Sequence, residues 1–229
     1  MLIRNLVEAG FVIALMAVVP VLSYRTSRQS EIFALPRIKL YISAVVSQWI
    51  LAALGIVVLL VTSMSFGDVG LRLVSLPEVF LWIGVLTGVS LAALGLVVFL
   101  EGRGWWPPEP KMVCALIPQT RTEKYWAVLV IAPTAALCEE FLYRGLLLAV
   151  LSQWSRSPGW GAVLSSAAFG MAHMYQGSIG IARAALLGGL LAIPVLRLGT
   201  ILPSMASHFL IDAVALVWLG PKMIEESHQ

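Results

Sequence analysis

Charge is what this sequence has least of: 12% of its 229 residues are Asp, Glu, Lys or Arg, 59% are hydrophobic, and the mean hydropathy is +0.92. A soluble domain carries about twice that share of charge, which excludes an ordinary water-facing surface. Cysteine is scarce as well. Cys114 and Cys138 stand in apolar surroundings without CxxC or CxxH spacing, so there is no disulfide framework and no zinc-finger signature, and both read as packing residues. Repeats, low-complexity tracts and a separate soluble domain are missing too. A net charge of +3 is too small for a nucleic-acid surface and suits basic loops beside a lipid bilayer. No small-residue cleavage site follows the apolar run 6–22, which is expected to stay as an anchor rather than leave as a signal peptide.

Long apolar runs take the place of all this. They fall at about 6–23, 40–63, 79–100, 125–151, 159–174, 179–196 and 200–219. A helix needs ~20 such residues to span a bilayer, so the runs predict an all-α, polytopic transmembrane bundle of about seven spans (six to eight). The last three are short and closely spaced, and one of them is expected to be re-entrant or strongly tilted. Lysine and arginine set the orientation. The first connector holds Arg25, Arg28, Arg37 and Lys39, the third Arg103, Lys111, Arg121 and Lys124, while the second and fourth hold only Arg72 and Arg156. Odd connectors are therefore expected in the cytoplasm of a bacterial-type cell, beneath its inner membrane. The N-terminus, with Arg4, is then outside, and the C-terminus, with Lys222, Glu225 and Glu226, inside. The stretch from Trp105 to about residue 122 reads either as an interfacial segment or as a solvated loop with aromatic anchors. The chain thus divides into N-terminal spans with this segment, 1–124, and a polar-cored bundle, 125–229.

The charges inside the spans are unevenly placed. Runs 40–63 and 79–100 carry none away from their ends, whereas the fourth run has Glu139, Glu140 and Arg144, the fifth His173, the sixth Arg183 and the seventh His208 and Asp212. A charge at a helix centre costs ~2.5–3.5 kcal/mol on insertion scales, so such groups must face one another or a wet cavity. Glu140 and Arg144 are four apart and share a helix face, which makes them a candidate ion pair. Glu139 lies ~100° round the helix and is left for another partner. His208 and Asp212 are also four apart, so the carboxylate can orient the imidazole. Small residues crowd these positions, among them Gly170, Gly188, Gly189, Ser204 and Ser207, as close helix approach requires. Each piece has a plainer reading: a structural ion-pair network, an interhelical hydrogen bond at His173, a proton relay at His208 and Asp212. Arg183 is expected to snorkel to the interface, and His228 sits in a polar tail away from the site.

Hydrolysing a peptide bond needs a water, a base to deprotonate it and donors for the oxyanion. The cluster offers acids and imidazoles for those tasks, and GxSxG is absent, so activated water is preferred over a covalent acyl-enzyme. The stretch CEEFLYRGLL (138–147) resembles the EExxxR motif of the CAAX-processing and bacteriocin-processing family of intramembrane proteases (CPBP, or Abi). FGMAH (169–173) resembles its FxxxH motif and HFLID (208–212) its HxxxN/D motif, and the resemblance covers about 125–219. It implies a glutamic-type membrane endopeptidase with Glu139 as general base, Glu140 and Arg144 in support, and His173 and His208 binding water or the scissile carbonyl. Tyr143 and Phe169 support the site. Asp212 stands where the prenyl-protein proteases have Asn. An ionised Asp cannot donate to an oxyanion, so its expected role is to hold His208. No cofactor is expected; a zinc-dependent version would use Glu139, His173 and His208 as ligands, although HExxH is absent. The implied partner is a membrane-associated, lipidated or hydrophobic peptide or protein in the bilayer, cut near one end. The rivals are a catalytically silent immunity factor or scaffold and a proton-coupled transporter, whose inverted repeats are not visible.

Overall fold

Inside lipid a backbone must satisfy its own hydrogen bonds, and only a helix or a closed barrel does so. The apolar runs resolve accordingly. A computed structural model describes residues 2–107 and 109–220, and among them there are helices and loops but no strand. In chain order the helices are α1 (Leu2–Ser27), α2 (Arg37–Thr62), α3 (Leu76–Gly102), α4 (Lys111–Leu116), α5 (Arg121–Ser155), α6 (Pro158–Ala172), α7 (Gly177–Leu198) and α8 (Leu202–Leu219). Six are long and apolar enough to cross a membrane: α1, α2, α3, α5, α7 with the turn before it, and α8. The expected fifth span is the exception. As α6 it has 15 residues, ~22 Å at 1.5 Å per residue, short of a ~30 Å hydrocarbon layer.

Half of the most apolar window of α5 is buried inside the protein, against 11% for α3, so α5 is the axis of the bundle and α3 lies at its edge. Local chemistry sets the helix ends. Thr120 and Glu123 form a capping box at the start of α5, and the Ser157 hydroxyl accepts from the Trp160 N–H at the start of α6, with Pro158 in the first turn. Two π turns, Ala14–Val18 and Ala127–Ile131, come just before Pro20 and Pro133. Proline has no N–H to give and its ring crowds the preceding turn, and a π turn relieves both. A third π stretch, Glu140–Leu147, has no proline to explain it and coincides with the first sequence motif.

Side-chain ties define two ends of the bundle. At one end Arg4 donates to Gln153, Trp154 donates to Glu8, and Arg72 donates to the Leu198 carbonyl. At the other, Tyr41 donates to the Leu116 carbonyl at 2.7 Å, and Arg183 pairs through both terminal nitrogens with Glu109. Arg183 therefore does not snorkel free to the interface as expected; a buried carboxylate from the 103–110 connector holds it. The Trp105–122 stretch fits neither alternative alone. Trp105 is exposed, but Glu109 is buried in that ion pair and α4 is pinned to α2 through Tyr41.

Cys114 and Cys138 are both free thiols. Burial and the nearby Glu109 carboxylate push the Cys114 thiol above its ordinary pKa, so it stays protonated at neutral pH and unreactive. The C-terminal residues Lys222, Glu225, Glu226 and His228 lie outside the described residues.

Candidate active site

The site is assembled on α5 and closed by α2, α6 and α8. Glu140 is its innermost group, with no solvent exposure. Its Oε1 accepts from Nη1 of Arg144 at 3.0 Å, one helical turn on, and lies 2.8 Å from Nδ1 of His208 on α8. A carboxylate can only accept, so Nδ1 carries the proton and Nε2 is the nitrogen left to face the rest of the site. Arg144 is also buried, and its guanidinium carbon lies 4.0 Å from the centroid of the Phe169 ring. That face-on contact is the cation–π arrangement. It matters here because Nε and Nη2 of Arg144 have no hydrogen-bond partner among the described residues.

Phe169 is the hub. Its ring centroid is 5.2 Å from that of Tyr143, 4.6 Å from that of His173 and 6.1 Å from that of His208. The FxxxH spacing acquires a physical meaning: the phenylalanine fills the space that fixes both imidazoles and the arginine. His173 caps the C-terminus of α6, and its Nδ1 lies 2.8 Å from the Phe169 carbonyl. A carbonyl also only accepts, so Nδ1 of His173 carries a proton and its Nε2 has a free lone pair when the ring is neutral.

Glu139 points away from the Glu140–Arg144 pair, as its angular offset predicts. Its Oε1 accepts from the side-chain amide of Gln48 on α2 at 2.8 Å, and its Oε2 is 3.9 Å from Nε2 of His208. Asp212 faces the same nitrogen, with Oδ2 at 3.5 Å. His208 is thus held at Nδ1 by Glu140 and faced at Nε2, at longer range, by Asp212. Glu139 and Asp212 keep 17% and 28% of their side-chain surface exposed, while Glu140 and Arg144 keep 0% and 1%. Glu139 and Asp212 are therefore the acids of the cluster that keep accessible surface, and the ion pair beneath them keeps almost none.

Close helix approach makes this possible. At Gly188 on α7 a Cβ would lie 3.0 Å from Nη2 of Arg144, whereas one on Gly189 would meet nothing within 4 Å. Of that pair only Gly188 serves the site. Among the described residues no three His, Cys, Asp or Glu side chains converge to hold a metal ion.

One residue of this arrangement escapes a reading by charge and motif. Gln48 is a neutral amide in a span that carries no charge beyond its first turn, 91 positions from its partner. A polar side chain in mid-span is its only trace in the sequence.

Residues 121–214 match the family model described as type II CAAX prenyl endopeptidase Rce1-like, which is the CPBP/Abi family. The matched stretch contains all three motifs and leaves Gln48 outside. It supports a CAAX-type intramembrane endopeptidase in general. No curated protein and no solved structure matches the chain.

Proposed function

Taking residues 121–214 as the core of a CAAX-type endopeptidase, we propose that the protein hydrolyses a peptide bond near the end of a membrane-associated, lipidated or hydrophobic substrate, with Glu139 as the base that activates water. The observation that carries this reading is the division of labour between adjacent acids. Glu140 is taken up by Arg144 and His208, whereas Glu139 is partly exposed and, among the described residues, has no cation within ion-pair distance other than the imidazole of His208.

In this reading a water beside Oε2 of Glu139 gives up its proton to the carboxylate as its oxygen attacks the scissile carbonyl. The negative charge that forms on the carbonyl oxygen needs donors. His208, in its doubly protonated form, gives one from Nε2, and Glu140 fixes its ring through Nδ1. His173, with its Nε2 lone pair, accepts a hydrogen bond from the water and aims it. The proton taken by Glu139 is then delivered to the leaving amine. Arg144 does not touch the reacting atoms; it holds the Glu140 carboxyl in place so that His208 is held.

The reaction proposed needs no metal. The orientation follows from the basic connectors, which gather at the end of the bundle holding α4. That end faces the cytoplasm of a bacterial-type inner membrane, with the N-terminus outside.

The test uses purified protein in liposomes with a panel of peptides: prenylated C-terminal peptides, signal peptides and hydrophobic pheromone-like peptides, with products read by mass spectrometry. The wild type is expected to cut at least one and Glu139→Gln none, and a chelator such as phenanthroline should leave the rate unchanged. Stoichiometric zinc whose removal abolishes cleavage would sink the metal-free step. If the wild type cuts nothing while Glu139→Gln keeps its cellular effect, the protein is a silent scaffold.

A further inference from the structure

The catalytic core matched to the family ends well short of α2, yet α2 supplies the hydrogen bond closest to the proposed base. We propose that Gln48 is a positioning residue: its side-chain amide holds Oε1 of Glu139 and thereby presents Oε2 to the water and to His208. The inference rests on the reading of Glu139 as base and extends the working site beyond residues 121–214.

The geometry supports it in three ways. First, Nε2 of Gln48 lies 2.8 Å from Oε1 of Glu139, whereas the other carboxylate oxygen is 3.9 Å from the nearest imidazole nitrogen. A carboxylate with one oxygen tied can rotate little, so the free oxygen keeps a fixed direction. Second, Gln48 sits ~16 Å along α2 from its start and ~21 Å from its end, well inside the apolar layer. A primary amide is costly there without a partner, and among the described residues the Glu139 contact is the one that its N–H makes. Its own Oε1 is buried and has no partner among the described residues. Third, α2 is brought near by Gly55, where a Cβ would stand 3.0 Å from Phe141 and Leu142 side-chain atoms on α5.

The groups facing Glu139 from the packed elements are Cys138, Tyr143 and Arg144 on its own helix, His173 and Tyr175 from the turn after α6, and His208 and Asp212 from α8. None of them makes a hydrogen bond to Oε1, so none replaces Gln48.

A purely structural hydrogen bond between membrane helices contributes little stability. Gln48→Met, which keeps length and removes the donor, should therefore leave thermal unfolding nearly unchanged. It should lower kcat ~10- to 100-fold, the loss usual when the partner orienting a reacting side chain is removed, with KM altered less than about threefold. Gln48→Asn keeps the amide one methylene short of Glu139 and should behave like Gln48→Met; it is the second variant if methionine disturbs packing. The readout that needs no turnover is isotope-edited infrared spectroscopy of the glutamate-labelled protein in lipid nanodiscs at fixed pH. The carboxylate band missing in Glu139→Gln should shift in Gln48→Met and Gln48→Asn. An unmoved band overturns the contact, and a shifted band with kcat unchanged overturns its role. If Glu139→Gln cleaves like the wild type, the base assignment fails, but the band still reports whether Gln48 holds Glu139.

Discussion

Glu140 satisfies two groups at once, the guanidinium of Arg144 and the Nδ1–H of His208, and does so without any exposure to solvent. Breaking a buried pair by removing one partner costs ~3–5 kcal/mol, because the other charge is left unpaired. Asp212 makes a longer and more exposed contact with the same imidazole. Its oxygen lies 3.5 Å from Nε2 of His208 and its side chain is 28% exposed. The two acids should separate in experiment: Glu140→Ala is expected to lower the unfolding free energy by ~3 kcal/mol or more and to abolish cleavage. Asp212→Asn should unfold like the wild type and retain activity within ~10-fold, since Asn also accepts from an imidazole. Denaturant unfolding beside a cleavage assay checks both, and a complete loss of activity in Asp212→Asn would assign that carboxylate a direct chemical role. At this scale the sequence was legible wherever spacing on one helix decides contact. Glu140–Arg144 and His208–Asp212 follow from a separation of four, and Glu139 from its offset. That Glu140 also holds the imidazole was not legible, because that depends on how far α8 slides along α5.

Among the helices, α6 and α7 pack most intimately. At Gly170 a Cβ would lie 2.7 Å from the carbonyl oxygen of Ile181 and 2.8 Å from Cβ of Ala185, and backbone cannot step aside as a side chain can. Gly170→Ala should therefore force α6 from α7, costing ~1–3 kcal/mol, and displace His173 three residues later. Gly55→Ala meets only side-chain atoms at 3.0 Å and should be tolerated better. Comparing the unfolding midpoints and cleavage rates of the two variants tests this, and equal effects would contradict it. The helices themselves could be read from the apolar runs, since lipid leaves the backbone no alternative. The shortness of α6 was signalled by the crowding of the last three runs. The π stretch at Glu140–Leu147 left no signal, and the ties Gln48–Glu139 and Arg183–Glu109 join distant segments that periodicity cannot connect.

For the whole molecule, the two ends differ in charge. Arg28, Arg37, Lys39, Arg103, Lys111, Arg121 and Lys124 lie toward the end that carries α4, and Arg4, Arg72, Arg156 and Arg197 toward the other. A cysteine placed at Arg28 should react with a membrane-impermeant maleimide in inverted vesicles, and one at Arg72 in right-side-out vesicles; the opposite pattern would reverse the orientation. The site then lies within the membrane, with Glu139 and Asp212 its accessible acids and a rigid ion pair below. Glu139 is the base proposed for this site. The most direct measurement is the single-turnover cleavage rate of Glu139→Gln beside the wild type, in the same liposomes and on the same peptide. General-base catalysis contributes ~10²- to 10⁴-fold, so the account predicts a fall of at least that order with substrate binding intact. A rate within a few-fold of the wild type would contradict it.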